Sequence, residues 1–296
     1  MASAATIGRN LGGQPQRHNW VCSCPICDYP LSLADGEEGR LLAFCHGGCN
    51  FSQIECALVG YGLYADDDYE SSPRIITRQP DPEELRLRSE GARWLYQATV
   101  EDPLISAYVR SRSISITSPA LRFLPRDRHR HRTGIPFPAM TAPVTTLASE
   151  ITGVHLSFLK PDGTGLAYAK PTTKGERDRR RQCHGLVRGG AIRLAPHDPD
   201  QDLIVGEGVE SVLSGMEWHG LSGWSAVSAG GLKTVEIPAE QRRLLIVADN
   251  DENGCSQRNA VEAARKWQAE GRITRIWMPD TVGDDANDFL MKKRRG

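Results

Sequence analysis

Net charge is almost absent from this chain: 36 Lys and Arg stand against 37 Asp and Glu, a formal balance of −1 over 296 residues. The overall balance therefore says nothing about a nucleic-acid partner, and charge has to be read locally. Long apolar runs are missing too. No stretch approaches the roughly 18 residues of a membrane helix, and the N-terminus lacks the charged-then-apolar pattern of a secretory leader. The expectation is a cytoplasmic protein with no membrane span. In that compartment eight cysteines argue for metal ligation rather than disulfides. The pattern Gly-x4-Gly-Lys-[Ser/Thr] is also absent. Its nearest approach, Gly230-Gly231-Leu232-Lys233-Thr234, has the wrong spacing, so no nucleotide-driven motor is expected. The length leaves room for two or three domains.

Six of the eight cysteines lie between residues 22 and 56. Cys24 and Cys27, then seventeen residues, then Cys45 and Cys49 approach the spacing of a four-ligand structural Zn²⁺ site, with Cys22 and His46 as alternative ligands. Between the knuckles, 29–33 and 40–44 read as a small hairpin turning at Asp35-Gly36. So short a segment cannot build a core alone, so Zn²⁺ would supply its folding energy. Cys56, Cys183 and Cys255 read as ordinary small core or surface residues.

Residues 66–83 are polar and proline-rich without a period, which marks a linker. Helical spacing follows over 82–100 and 103–113, then strand-like stretches at 135–140, 144–147 and 153–159 with a turn at Pro161-Asp162-Gly163. Two basic clusters lie here: Arg126, Arg128, Arg130 and Arg132; and Lys174, Arg177, Arg179, Arg180 and Arg181. Each reads either as a solvated loop or as cations along a groove for phosphates. The second is the better candidate, with Lys160 and Lys170 extending the same surface.

The C-terminal half alternates strand and helix. Leu203-Ile204-Val205-Gly206 ends at Glu207, and Leu244 to Ala248 ends at Asp249-Asn250-Asp251. Short apolar, β-branched runs read as strands buried on both faces, as in a parallel sheet. In such sheets ligand groups gather at the carboxyl ends of the strands. Helices are expected over 209–218 and 257–270, and further strands over 224–227 and 272–278. The turn 228–231 either reverses the chain or lets the backbone approach a phosphate, with Lys233 just beyond to meet it. Glu207, Asp249 and Asp251 brought together repel one another unless a divalent cation sits between them, and carboxylate oxygens favour Mg²⁺ or Mn²⁺. That chemistry suits phosphoryl transfer. Asp285 or Asp288 could reach the same metals, and Asp285 is the one assigned to them. It and Asp288 also sit where acids cap a helix, the structural alternative for all these residues.

These motifs resemble a known family. Ile204 to Ser211 resembles the glutamate motif of the Toprim domain, Ala248 to Gly254 its Asp-x-Asp motif, and Asp285 to Asp288 the acidic segment closing Toprim modules of phage and bacterial primases. The cysteine knuckles resemble the zinc ribbon of those primases, except that the second ligand, commonly histidine, is here Cys27. Thr152 to His155, Pro161 to Gly163 and Gly189 to Leu194 resemble the region preceding Toprim in plasmid- and phage-type primases. The resemblance implies an α/β Toprim fold (a parallel sheet flanked by helices) at 201–296, an α+β subdomain at 84–200 binding template and nucleotide, the linker 66–83, and a zinc ribbon at 1–65. It implies a DNA primase that makes short RNA primers on single-stranded DNA from nucleoside triphosphates. Two metals would bridge Glu207, Asp249 and Asp251, and a separate replicative helicase would be the partner. Rival readings are a Toprim nuclease and a non-catalytic recombination mediator that clamps DNA; a type I topoisomerase would need a tyrosine nucleophile and more chain.

Overall fold

A computed structural model describes residues 3–26, 30–36, 41–45, 49, 51–64, 82–128, 137–167, 180–252 and 254–295. Cys27, His46, Arg130, Arg132, Lys170, Lys174, Arg177, Arg179 and residues 66–81 of the expected linker lie outside that set.

The N-terminal module holds helix α1 (Ala4–Asn10), strands β1 (Gln14–Pro15), β2 (Trp20–Ser23), β3 (Pro30–Asp35) and β4 (Leu41–Cys45), and helix α2 (Phe51–Gly60). Its four strands form one antiparallel sheet in chain order. The expected hairpin is β3–β4; strands β1 and β2 and the two helices carry too little pattern to stand out. Alternation puts Leu31, Leu33, Leu41, Ala43 and Cys45 on the inner face, where Ile7, Ile54 and Leu58 cover them.

Helices α3 (Pro82–Gln97) and α4 (Pro103–Ser111) lead into strands β5 (Arg122–Leu124), β6 (Ala139–Thr145), β7 (Ile151–Phe158) and β8 (Arg181–Gly185), an antiparallel sheet in that order. β6 is one strand where the sequence suggests two, because its irregular pairing with β7 falls at its end, between Val144 and Thr145. Helix α3 packs Ala92 and Leu95 on this sheet. The predicted turn at 161–163 forms, with Asp162 Oδ1 accepting from Thr164 N at 2.9 Å.

The C-terminal sheet takes β9 (Ile192–Arg193), β10 (Leu203–Gly206), β11 (Gly223–Ser225), β12 (Arg243–Val247) and β13 (Ile273–Trp277). Its order is β13-β12-β10-β11-β9. All pairs are parallel except β11–β9. Between them run α5 (Val209–His219), α6 (Ala229–Leu232) and α7 (Cys255–Ala269), and α8 (Ala286–Arg295) closes the chain. The turn read at 228–231 is the helical turn α6, capped by Ser228. Gly231 is obligatory there, since a Cβ would collide with the Ala226 carbonyl. One face of the sheet is covered by α7 through Ala260, Ala263, Ala264 and Trp267. The other packs α5 and α8 in a core that also takes Ile105, Tyr108 and Val109 of α4 and Met140 and Val144 of β6. Residues before and after 200 thus share one core.

Among the described residues no helix is long and apolar enough to cross a membrane. Cys183 is a buried free thiol. Cys255 is disulfide-bonded, which corrects its reading as an ordinary thiol: cysteine type and spacing do not reveal which sulfurs tertiary packing brings together.

Candidate active site

The chain passes from β10 to β11 on one side and then to β12 on the other, so the topological switch point falls between β10 and β12. In open α/β sheets that is the place, at the strand ends, where a ligand crevice falls. In register, Gly206 lies opposite Val247, with neighbouring strands about 4.8 Å apart. Glu207 and Asp249 therefore leave adjacent strand ends, one and two residues past the last pair.

Shared partners and through-space charge link these acids. Ser256 lies between Glu207 and Asp251: its hydroxyl is 2.5 Å from Asp251 Oδ2, and it also hydrogen-bonds to the Glu207 carboxylate. Ser211 Oγ donates to Asp249 Oδ1 at 3.1 Å. Burial, then the charge of Asp249, pushes Glu207 well above the usual carboxylate range. Burial, then Asp285 and Asp251, raises Asp249 to about 7. Asp285 is raised as well, by burial first and then by Asp288 against the Asp288 N–H bond.

The capping alternative divides among these residues. Asp251 does cap α7, accepting from Ser256 N at 3.2 Å. Asp285 caps α8, accepting from Asp288 N at 2.7 Å, while its charge also reaches Asp249. Glu207 and Asp249 are not caps. The residue before α5 is Gly208, with no side-chain cap bond, and Glu207 Oε1 is buried without a hydrogen-bond partner among the described residues. A buried carboxylate oxygen with no partner among the described residues, beside the acids Asp249 and Asp251, is a site that fits a hard divalent cation.

The basic candidates separate. Arg181 reaches the crevice: its Nη2 donates to Glu210 Oε1 at 2.8 Å, and its charge acts on Asp249. Arg180 is one residue before β8 and partly exposed, and Lys160 is exposed beside its turn. Lys233 closes an ion pair with Glu262 at 2.7 Å, tying α6 to α7. Sequence reasoning passed over Glu210, Tyr108 and Ser256. The one available signal was Glu210 itself, an acid among the apolar and small residues of a helix that is buried from Val209 to Met216.

In the N-terminal module, the Sγ atoms of Cys24, Cys45 and Cys49 are buried within 4.8 Å of one another. Among the described residues this is the one group of three metal-type ligands so tightly gathered. Cys22 stays outside it, its thiol donating to Leu31 O at 3.5 Å.

Residues 202–296 match the family model of the Toprim domain, and residues 83–194 match that of a domain of unknown function, DUF7146. The C-terminal segment is a Toprim domain. Its switch-point crevice holds Glu207 and Asp249, and the resemblance read from the glutamate and Asp-x-Asp motifs is borne out. No curated protein matches the chain in sequence. Among solved structures, the chain is similar to the primase fragment of the bacteriophage T7 primase-helicase protein, with 14% identity, a TM-score of 0.42, and coverage of 64% of this chain and 66% of that one. It thus spans just under two thirds of that fragment. It is also similar to the E. coli primase catalytic core, at 14% identity and TM-score 0.40, covering 71% and 76%. The third is the Aquifex aeolicus primase with its zinc-binding and RNA polymerase domains, at 11% identity and TM-score 0.40, covering 100% and 82%. The Toprim assignment rests on the family model and the strand order, not on these superpositions.

The raised carboxylates carry a stability prediction. Between its ordinary 3.8 and about 7, Asp249 holds a proton in the folded state that it loses on unfolding. Its contribution therefore makes the metal-free protein less stable as pH rises through that window. In chelator, Asp249→Asn is expected to gain about 2–4 °C in Tm relative to wild type at pH 8, and much less at pH 5. Millimolar Mg²⁺ should raise the wild-type Tm at pH 8 and leave the variant nearly unmoved. A thermal shift series over pH and Mg²⁺ checks this; equal Mg²⁺ responses would exclude a cation at Asp249.

Proposed function

We propose that this protein is a DNA primase, a metal-dependent nucleotidyltransferase that joins nucleoside triphosphates into short RNA primers on single-stranded DNA. The observation carrying the reading is the buried Glu207 Oε1, without a hydrogen-bond partner among the described residues, at a strand end in register with the one leading to Asp249. Glu207, Asp249 and Asp251, with Asp285 at the rim, would hold Mg²⁺ or Mn²⁺. Such ions would neutralise the triphosphate and favour an in-line displacement by a primer hydroxyl. The chain's own residues prepare this. Ser211 orients Asp249, Ser256 spaces Glu207 from Asp251, and the α7 cap holds Asp251 at the entrance.

Zn²⁺ would be held by Cys24, Cys45 and Cys49, with Cys27 as the fourth ligand. In this reading the zinc module, 1–65, grips the template or the nascent primer, the segment 84–200 carries template and nucleotide contacts from Lys160 to Arg181, and 201–296 performs catalysis. Unwinding falls to a separate helicase.

Single-stranded DNA, labelled ribonucleotides and Mg²⁺ test the proposal. Lengthening products that require Mg²⁺ support it. Template shortening would make the protein a nuclease, and bound but unaltered DNA a mediator.

A further inference from the structure

Near the crevice, Glu210 is held well below the usual carboxylate range despite its burial. It sits in the first turn of α5 with only 6% of its side chain exposed. A lone buried carboxylate is costly, and burial alone would raise its pKa. Arg181 and the Tyr108 hydroxyl outweigh that and hold it at about 2. Both bonds converge on one oxygen: Tyr108 Oη donates to Oε1 at 2.6 Å and Arg181 Nη2 at 2.8 Å. The three bonded residues come from three elements, Tyr108 on α4, Glu210 on α5 and Arg181 on β8, and His155 on β7 lies near enough to feel the charges of Arg181 and Glu210. His155 lies two positions from Ser157, the residue opposite Arg181. Burial and then Arg181 keep His155 neutral, with a pKa near 4, so it does not compete with Arg181 for the carboxylate.

Such a network is a poor way to add stability, because an apolar set of the same volume generally packs as well. What it does supply is orientation. Arg181 is one-third exposed, tethered on one side to Glu210 and acting on Asp249 on the other. A planar guanidinium held rigidly beside acids is suited to phosphate oxygens.

We propose that Glu210 is a positioning residue: braced by Tyr108, it fixes Arg181 at the rim of the acid crevice to receive the phosphates of an incoming nucleoside triphosphate. This rests on the reading of the crevice as a site for such substrates. Glu210 itself ligates nothing, and its effect runs through Arg181.

Binding of a non-hydrolysable ribonucleoside triphosphate with Mg²⁺, measured by calorimetry on the full chain, tests the assignment in a double-mutant cycle. Glu210→Gln and Arg181→Gln are each expected to weaken binding at least about tenfold, and the double variant should bind no worse than Arg181→Gln alone. Glu210→Asp, which keeps the charge, should recover part of the loss. If Glu210→Gln unfolds, Tyr108→Phe takes its place, as it removes the brace and leaves the ion pair. Wild-type affinity in Glu210→Gln, losses that add in the double variant, or no triphosphate binding by wild type would each overturn the proposal. Primer synthesis is scored separately: a wild type that binds triphosphate in this pattern and makes no primer sinks the primase reading while the positioning role stands.

Discussion

Asp249→Asn and Glu207→Gln are each expected to lower Mg²⁺-dependent primer synthesis about a thousandfold or more. A pair of cations at the reacting phosphate supplies several kcal/mol of stabilisation, and about 4 kcal/mol is a factor of a thousand. Each substitution keeps the shape of the side chain and removes one of the charges that would hold the ions. Asparagine still accepts from Ser211, which lies 3.1 Å from Asp249 Oδ1, so the local geometry survives. The fold should too: Asp249 raises the pKa of Glu207, and Asp285 and Asp251 raise that of Asp249, so removing one of these charges relieves repulsion in the native state. Lost activity beside an equal or higher Tm is therefore the diagnostic pair, read from gel extension assays and thermal shifts on the same preparations. Ser211→Ala, which removes only an orienting bond, should cost far less. A variant at Asp249 within tenfold of wild-type synthesis would remove the crevice from the reaction.

The second large effect is expected at the N-terminal module. Its core, built around Ile7, Leu31, Leu33, Ile54 and Leu58, is separate from the core shared by α4, α5 and α8. A module of this size is marginal on apolar burial alone, whereas structural Zn²⁺ contributes about 10–16 kcal/mol in small zinc modules. Cys24→Ser, or a strong chelator, should unfold the module while the remainder keeps its cooperative melt. Rapid proteolysis within residues 3–64, with protection retained after residue 82, is the expected pattern, together with lost template-directed synthesis. Elemental analysis should find one zinc per chain. A metal-free module with undiminished protease resistance would refute this.

Much of the C-terminal half was legible because local rules decide it. The strands at 203–206 and 243–247 are apolar runs that only a two-sided cover satisfies, and each stops at an acid where the chain must turn. The helices over 209–219 and 255–269 show apolar and small residues at helical spacing. The turn at 228–231 was less readable: a Ser cap followed by two glycines fits a loop and a helical turn alike, and contact with Ala226 settles it. β6 was split because Pro143 and a local irregularity interrupt its pattern while its pairing with β7 continues across them.

For the crevice, residue types and their order along the chain were sufficient to nominate Glu207, Asp249 and Asp251, since acids at the ends of buried strands are recognisable without coordinates. Their division of labour depends on tertiary placement. Asp251 caps the helix that follows it, whereas Asp249 is held by Ser211 of α5 and Glu207 keeps an oxygen with no hydrogen-bond partner among the described residues. The same holds for Arg181, one of several arginines in a run until Glu210 and Tyr108, distant in sequence, converge on it. Periodicity reports which side of an element is buried; only packing decides which two buried sides meet, and charge acts through space rather than along the chain.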